Sequence, residues 1–355
     1  MQQAKILYPS RLSPLPRLNR LLKSSHYANA KYVILLDENT YTHCLPYLVS
    51  RMRVLEEAEF LVVPVGEEAK SIEIASQLWG ALLDMKADRN TIIVNLGGGC
   101  ISDLGGYVAA CYKRGIRFIN IPTTLIGMVD AAIGGKTAVN IEGYKNQVGL
   151  FAQPDFIAID PTFLDTLPAE EVSNGLFEIL KTLMLSNSDI YHSVCQLIQS
   201  NSLVLNTEMV VQCTRFKSNV VKYDPFDKSA RKILNLGHTF GHAFESFHKS
   251  INSPLSHGKA VGLGMWCALY LSKFKLGMSP SLLEEYQNTM LSIVKPHPYT
   301  LKDTETILSY MRADKKNVDG MILCVLLQSL GLPLIDVPVD ENEIRDTILS
   351  LAKLQ

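Results

Sequence analysis

Short, uniformly apolar runs alternate with segments of helical period through the first half of the chain. Residues 31–36 (KYVILL), 59–64 (EFLVVP), 91–96 (TIIVNL) and 117–121 (RFINI) read as strands, and 71–84 carries apolar residues at helical spacing. Strands that are β-branched and apolar on both faces, separated by helices, predict a parallel sheet covered on both sides. From about residue 168 the period changes: 170–186, 206–222, 237–248, 258–276, 280–293 and 340–353 predict helices, and the apolar stretch 321–328 predicts a small hairpin with 333–338. The turn-rich IDPTFLDTLP marks the change, so the chain is expected to divide near residue 165. The expectation is an α/β domain over 1–165 with a mainly parallel sheet and a mostly α-helical domain over 166–355.

Ligands of parallel sheets gather at the carboxyl ends of the strands. Here the first strand runs into Asp37, Glu38 and Asn39, the second is followed by Glu67 and Lys70, the third ends at Gly97–Gly98–Gly99, and the fourth ends at Pro122–Thr123–Thr124. Glycines let backbone N–H groups approach a phosphate, and a helix opening at 101–107 would add a dipole that favours anions. The GxGxxG fingerprint is absent, and a tight turn without ligand accounts for the glycines equally well. Four polar strand ends together point to a nucleotide laid across the sheet edge.

The helical half carries a second kind of chemistry. NLGHTFGHAFE at 235–245 sets His238 and His242 four apart, on one face of a helix. His257 stands in LSHGKAVGLG at the start of the next helix, and Glu178 lies in the apolar GLFEILK, where an unpaired charge is costly. Spacing leaves alternatives open. An HxxxH pair is often a surface feature, Glu178 can pair with Lys181 one turn on, and one histidine can serve as an acid–base group. Three histidines and one carboxylate between 178 and 257 nevertheless suit catalytic Zn²⁺ or a similar ion. The segment DAAIGGKTAVNIEGYKN at 130–146 supplies Asp130, Lys136, Lys145 and Asn146; Lys217, Arg231, Asn235 and the run Asp314–Lys315–Lys316–Asn317 add donors. Taken singly each reads as solvated surface, and together they suit a small, multiply anionic ligand.

Composition narrows the classes. The chain has 355 residues, 47% of them hydrophobic, enough for two cores. Charged residues make up 19% and the net charge is −1, which argues against nucleic-acid and membrane-surface binding. The N-terminal stretch has no apolar core of signal-peptide length, and no apolar run has the length of a membrane span. Seven cysteines (44, 100, 111, 195, 213, 267 and 324) form no CxxC pair and are expected to be buried thiols of a cytoplasmic protein.

The segments GGGCISDLGGYVAACYKRG, IPTTLIGMVDAAIGGKTAVN, GYKNQVGLF, FLDTLP, GLFEILK, DPFDKSARKILNLGHTFGHAFE, LSHGKAVGLGM and DKKN occur in the order seen in the 3-dehydroquinate synthases of the sugar-phosphate cyclase superfamily, and the chain resembles that family from about residue 30 to 350. The resemblance implies a homodimer that uses NAD and Zn²⁺ or Co²⁺. It implies a phosphate-eliminating lyase that converts 3-deoxy-D-arabino-heptulosonate 7-phosphate to 3-dehydroquinate, the second step of the shikimate route to aromatic amino acids. By motif position, Glu178, His238 and His257 resemble the metal ligands, and His242 an acid–base group. Lys217 and Arg231 resemble the carboxylate-binding pair; Lys136, Asn146, Asn235 and Lys315 the phosphate-side contacts; Asp130 and Lys181 residues that position hydroxyls. Arg114 resembles an arginine supplied by the other subunit. Asp37, Asn39, Glu67, Lys70, Gly98, Gly99, Asp103, Thr123, Thr124, Lys145, Phe163, Thr166 and Asn174 resemble the NAD contacts. The chain departs from the pattern at Glu170, where an arginine is usual, at Cys100, where an aliphatic residue is usual, and at Asp227, an acid–base position usually filled by glutamate. Rival readings are a cyclase acting on a sedoheptulose phosphate, which lacks the carboxylate that Lys217 and Arg231 would bind, and a metal-dependent polyol dehydrogenase.

Overall fold

A computed structural model describes the chain except for residues 1, 2, 10–12, 25, 28, 143, 313–320 and 355, and the side chain at 144. Lys315 and its neighbours in the 314–317 run therefore lie outside the described residues. The chain packs as two units, Met1–Val172 with Asn206–Phe226, and Ser173–Leu205 with Asp227–Gln355.

The first unit is built on a six-stranded sheet. In chain order its strands are β1 (Lys5–Leu7), β2 (Tyr32–Asp37), β3 (Glu59–Val63), β4 (Ile92–Gly97) and β5 (Arg117–Pro122), then a separate hairpin of β6 (Lys136–Ile141) and β7 (Tyr144–Phe151), and finally β8 (Phe156–Ala158). The sheet order is β1-β8-β5-β4-β2-β3, and every pairing is parallel. All six residues of β4 are buried, as are the first five of β2, which is why these strands read as unbroken apolar runs. On one face Val33, Leu35, Ile93 and Phe118 pack against Leu78 and Leu82 of helix Ile72–Asp84 and Leu104 and Val108 of helix Gly99–Cys111. Each such fully buried side chain contributes about 1.5–3 kcal/mol.

The four strands expected from the pattern are present. β1 and β8 were not expected, because three residues carry no readable period. The hairpin β6/β7 was not expected either; its glycines and asparagines read as a loop. Helix Thr207–Tyr223 belongs to the sheet unit, whereas a single boundary near 165 would put it with the helices. Its Thr214 hydroxyl donates to the Met128 carbonyl at 3.1 Å, a tertiary bond that no local pattern announces.

The second unit is helical: Ala169–Leu185 from Ser173 onward, Tyr191–Gln199, His238–Ser250, His257–Leu276, Pro280–Leu291, Leu301–Arg312 and Glu341–Leu351, with a hairpin of β9 (Ile322–Ser329) and β10 (Leu332–Val339). His257–Leu276 is buried almost all round, so it forms the centre of this unit. The helices at Tyr191–Gln199 and Leu301–Arg312 were not expected; the others and the hairpin were. No described helix is long and apolar enough to cross a membrane.

Candidate active site

Three helices of the second unit bring Glu178, His238 and His257 together. Glu178 sits in the buried run 174–185 of its helix, with no solvent exposure. His238 opens helix His238–Ser250, and His257 opens helix His257–Leu276. The Nε2 atoms of His238 and His257 each lie 3.7 Å from Oε1 of Glu178. Oε2 of Glu178 lies against the ammonium of Lys181, whereas Oε1 has no hydrogen-bond donor. The pairing with Lys181 and the convergence of histidines, alternatives at the level of spacing, are thus both present.

The opposite ring nitrogens decide what Nε2 can do. The Nδ1 of His238 lies 3.2 Å from the carbonyl of Leu236, which can only accept, so Nδ1 carries the proton. The Nδ1 of His257 lies 3.1 Å from Oε2 of Glu245, an acceptor when ionised. Both rings therefore turn Nε2 toward Oε1 of Glu178, and the three groups offer atoms that lie within 4.8 Å of one another. A ring whose second nitrogen donates to carbonyl or carboxylate is the usual setting of a metal-bound histidine. His242, Glu245 and His257 form another group with atoms inside 4.8 Å. It shares His257, and its use of Nδ1 would require removing the proton held by Glu245. The buried triad is the better cation site. His242 is exposed, with its ring 5.5 Å from that of His238 and 6.0 Å from that of His257.

Two backbone features fix the positions of the histidines. Gly237 caps helix His238–Ser250 with φ +80°, a left-handed setting that few side chains tolerate, and so allows the turn Ala230–Asn235 to lead straight into His238. Gly258, next to His257, donates its N–H to the side-chain oxygen of Asn174. A Cβ at Gly258 would fall 1.8 Å from the Asn174 carbonyl oxygen. Asn174 thus caps the helix that carries a ligand. Arg231, 4% exposed, and Asn235 lie on the turn before Gly237, and Asp227 adopts φ +57° just upstream.

The sheet unit gathers most of the other candidates at its strand ends. Asp37 caps helix Glu38–His43, its side chain accepting from Thr40 N at 2.8 Å; Asn39 is exposed beside it. Gly98 caps helix Gly99–Cys111 and supplies no side chain, so the first-turn N–H groups have neither a cap nor an intrahelical acceptor. Thr123 N donates to the Gly97 carbonyl at 3.0 Å, and Thr124 Oγ1 accepts from Gly127 N at 3.1 Å. Lys70, 3% exposed, donates to Asp103 Oδ2 and to Asn146 Oδ1, each at 2.5 Å. Burial works against the Lys70 charge, but Asp103 and Glu67 outweigh it, and the Lys70 pKa lies above its ordinary value. Burial also raises the Asp103 carboxyl, with Lys70 opposing. Glu67 Oε1 accepts from Asn140 at 2.8 Å. Phe163 is buried edge-on against Tyr47, with Thr166 ending the same short turn.

Lys217, 7% exposed, donates to both Oδ1 and the carbonyl of Asp130, at 2.6 and 2.7 Å. Lys136 and Lys145 are exposed on the hairpin. Arg114 is exposed at φ +67°. Glu170 is exposed in the first turn of its helix, where an acid suits the dipole. The cysteine expectation fails at two places: Cys111 is exposed, and Cys100 is half-buried, its thiol donating to the Gly66 carbonyl at 3.1 Å. Burial pushes Cys100 up to about 12, so it contributes no thiolate near neutral pH. Sequence reasoning missed Glu245 and the Leu236 carbonyl. The only available signal for Glu245 was its place seven residues after His238, on the same helical face.

Comparison with known proteins agrees with this architecture. A 3-dehydroquinate synthase from Parabacteroides distasonis is 39% identical over 90% of this chain and 89% of its own length. One from Leptospira interrogans is 38% identical over 79% and 77%, and one from Clostridium botulinum 33% over 86% and 87%. Among solved structures, a 2-epi-5-epi-valiolone synthase from Streptomyces hygroscopicus with NAD⁺ and Zn²⁺ bound superposes with a TM-score of 0.83 at 23% identity, covering 100% of this chain and 98% of that one. A 2-deoxy-scyllo-inosose synthase complexed with carbaglucose-6-phosphate, NAD⁺ and Co²⁺ gives 0.82 at 23% identity, covering 98% and 96%. Residues 60–174 match the 3-dehydroquinate synthase N-terminal region and 175–317 its C-terminal region, and the chain belongs to the 3-dehydroquinate synthase family.

Proposed function

We propose that this protein is a 3-dehydroquinate synthase that converts 3-deoxy-D-arabino-heptulosonate 7-phosphate to 3-dehydroquinate and phosphate. The observation that carries the reading is the buried carboxylate of Glu178, whose Oε1 faces the Nε2 atoms of His238 and His257 at 3.7 Å, in a chain of this family. That donor set fits Zn²⁺ or Co²⁺, with Glu178, His238 and His257 as protein ligands and a further position for a substrate oxygen. The uncapped start of helix Gly99–Cys111, at the end of β4, fits the pyrophosphate of NAD. On this reading residues 1–165 bind NAD, and 166–355 bind metal and substrate.

When bound, the metal polarises a substrate hydroxyl and NAD⁺ takes up and later returns a hydride, so the overall reaction is an elimination and ring closure without net redox. The chain's own groups bind, orient and move protons. Lys217 and Arg231 are buried cations suited to a carboxylate. Asp130 holds the Lys217 ammonium in place from two oxygens. Lys136, Asn146, Asn235 and Lys315 are assigned to the phosphate, and Asp130 and Lys181 to hydroxyls. His242 and Asp227 handle protons at the phosphate-leaving end. Asp37, Asn39, Glu67, Lys70, Gly98, Gly99, Asp103, Thr123, Thr124, Lys145, Phe163, Thr166 and Asn174 form the assigned NAD set. Much of the rate then comes from positioning rather than from dedicated bases.

The enzyme is a carbon–oxygen lyase of the shikimate pathway, a cytoplasmic homodimer in which Arg114 of one subunit serves the other's site. The test is phosphate release from the heptulosonate phosphate with NAD⁺ and Zn²⁺ or Co²⁺, with absorbance recorded at the same time. Phosphate is expected without accumulation of NADH. Stoichiometric NADH would favour a polyol dehydrogenase, and no phosphate would sink the assignment.

A further inference from the structure

We infer that Glu245 is a positioning residue for the metal centre: it locks His257 in the tautomer and ring setting that turns Nε2 toward Glu178. The inference rests on the metal reading above and adds a residue to it. His257 is the looser of the two histidine ligands. Its side chain is 32% exposed, against 11% for His238. It also stands at the first position of its helix. His238 is held by a backbone carbonyl, which the fold fixes. His257 depends on a side chain, the Oε2 of Glu245 at 3.1 Å from Nδ1.

Glu245 is well placed to hold it. It lies seven residues after His238 on helix His238–Ser250, two turns along the same face. One helix therefore carries a ligand and the support of a second ligand. Its side chain is only 12% exposed, so the bond to Nδ1 is poorly screened by water. A carboxylate on Nδ1–H fixes the ring and makes Nε2 a better electron-pair donor. The carbonyl on His238 fixes its ring with a weaker push, so loss of Glu245 falls on one ligand and not on both.

The test uses the full-length protein stripped of metal by a chelator, in wild-type form and as Glu245→Ala, Glu245→Gln and Glu178→Gln. Zn²⁺ affinity is measured by competition with a chromogenic chelator, and the Co²⁺ absorption spectrum reports ligand geometry. Glu245→Ala is expected to bind Zn²⁺ about 10–100-fold more weakly and to shift the cobalt bands. Glu245→Gln, which keeps an acceptor for Nδ1–H without the charge, is expected to fall between. Wild-type affinity and spectrum in Glu245→Ala, with Glu178→Gln unable to bind, would overturn the role of Glu245 alone. Wild-type binding by Glu178→Gln would overturn the metal centre beneath it. A second zinc equivalent in the wild type that disappears in Glu245→Ala would make Glu245 a ligand and so also overturn the inference. Should the alanine variant not fold, the glutamine variant decides: about tenfold weaker binding supports the role, and wild-type affinity removes it.

Discussion

Among the described residues both units pair buried charge, but only the helical unit adds two imidazoles beside the pair. In the sheet unit the buried cations already hold anions: Lys70 sits on Asp103 and Lys217 on Asp130. In the helical unit the fully buried carboxylate of Glu178 has one oxygen against the Lys181 ammonium and turns the other, Oε1, toward the Nε2 atoms of His238 and His257 at 3.7 Å. Breaking a pair that is already complete leaves one buried charge behind, so its first cost is to stability. A convergent set of lone pairs gains its stability from a cation, so its first cost is to binding. The same substitution type should therefore read out differently in the two units.

The largest effect is expected in the helical unit. His257→Ala should lose metal and lower activity by at least about 10³-fold, the scale of a lost metal contribution of several kcal/mol. Full metal occupancy in that variant would remove His257 from the ligand set and erase the contrast. Next comes Lys217→Met. It should lower the melting temperature, because Asp130 loses its buried partner, and on the proposed substrate role kcat/KM should also fall about 10–100-fold. If only the melting temperature fell while kcat/KM held, Lys217 would be a structural partner of Asp130 and nothing more. Gly258→Ala should cost about 1–3 kcal/mol of stability through overpacking against the Asn174 carbonyl. Denaturant unfolding of the apoprotein checks this, and unchanged stability would show that the helix start shifts freely. The smallest effect belongs to Arg345, a surface residue paired with Glu305 and Glu341. Arg345→Ala should leave kcat, KM and metal content unchanged, because exposed pairs are screened by water.

The contrast also explains what could be read from the sequence. The uniform apolar runs of β2 and β4 gave away the covered parallel sheet, because both faces of these strands are buried. The hairpin β6/β7 stayed hidden, since β7 is exposed and its alternating apolar residues Val148 and Leu150 are too few to set a readable period. Helix Thr207–Tyr223 was legible as a helix, but its attachment to the sheet unit depends on Thr214 and Lys217 reaching the 128–130 segment. Spacing found four metal-site candidates and could not choose among them. Spacing also says nothing of what occupies Nδ1 of each ring, which here is the Leu236 carbonyl for His238 and the Glu245 carboxylate for His257. Glu245 itself read as an ordinary helical acid. The triad that the family resemblance implies, Glu178, His238 and His257, is brought together in the structure, with His242 exposed at its margin.

The most direct measurement is a zinc titration of activity. Chelator-stripped protein is mixed with NAD⁺ and the heptulosonate phosphate, and Zn²⁺ is added stepwise while phosphate is recorded. Phosphate release should be absent at the start, rise in proportion to zinc and level off at one equivalent per chain, with no rise in Glu178→Gln. Full release before zinc is added, or an equal rise in Glu178→Gln, would contradict a metal centre built on Glu178, His238 and His257.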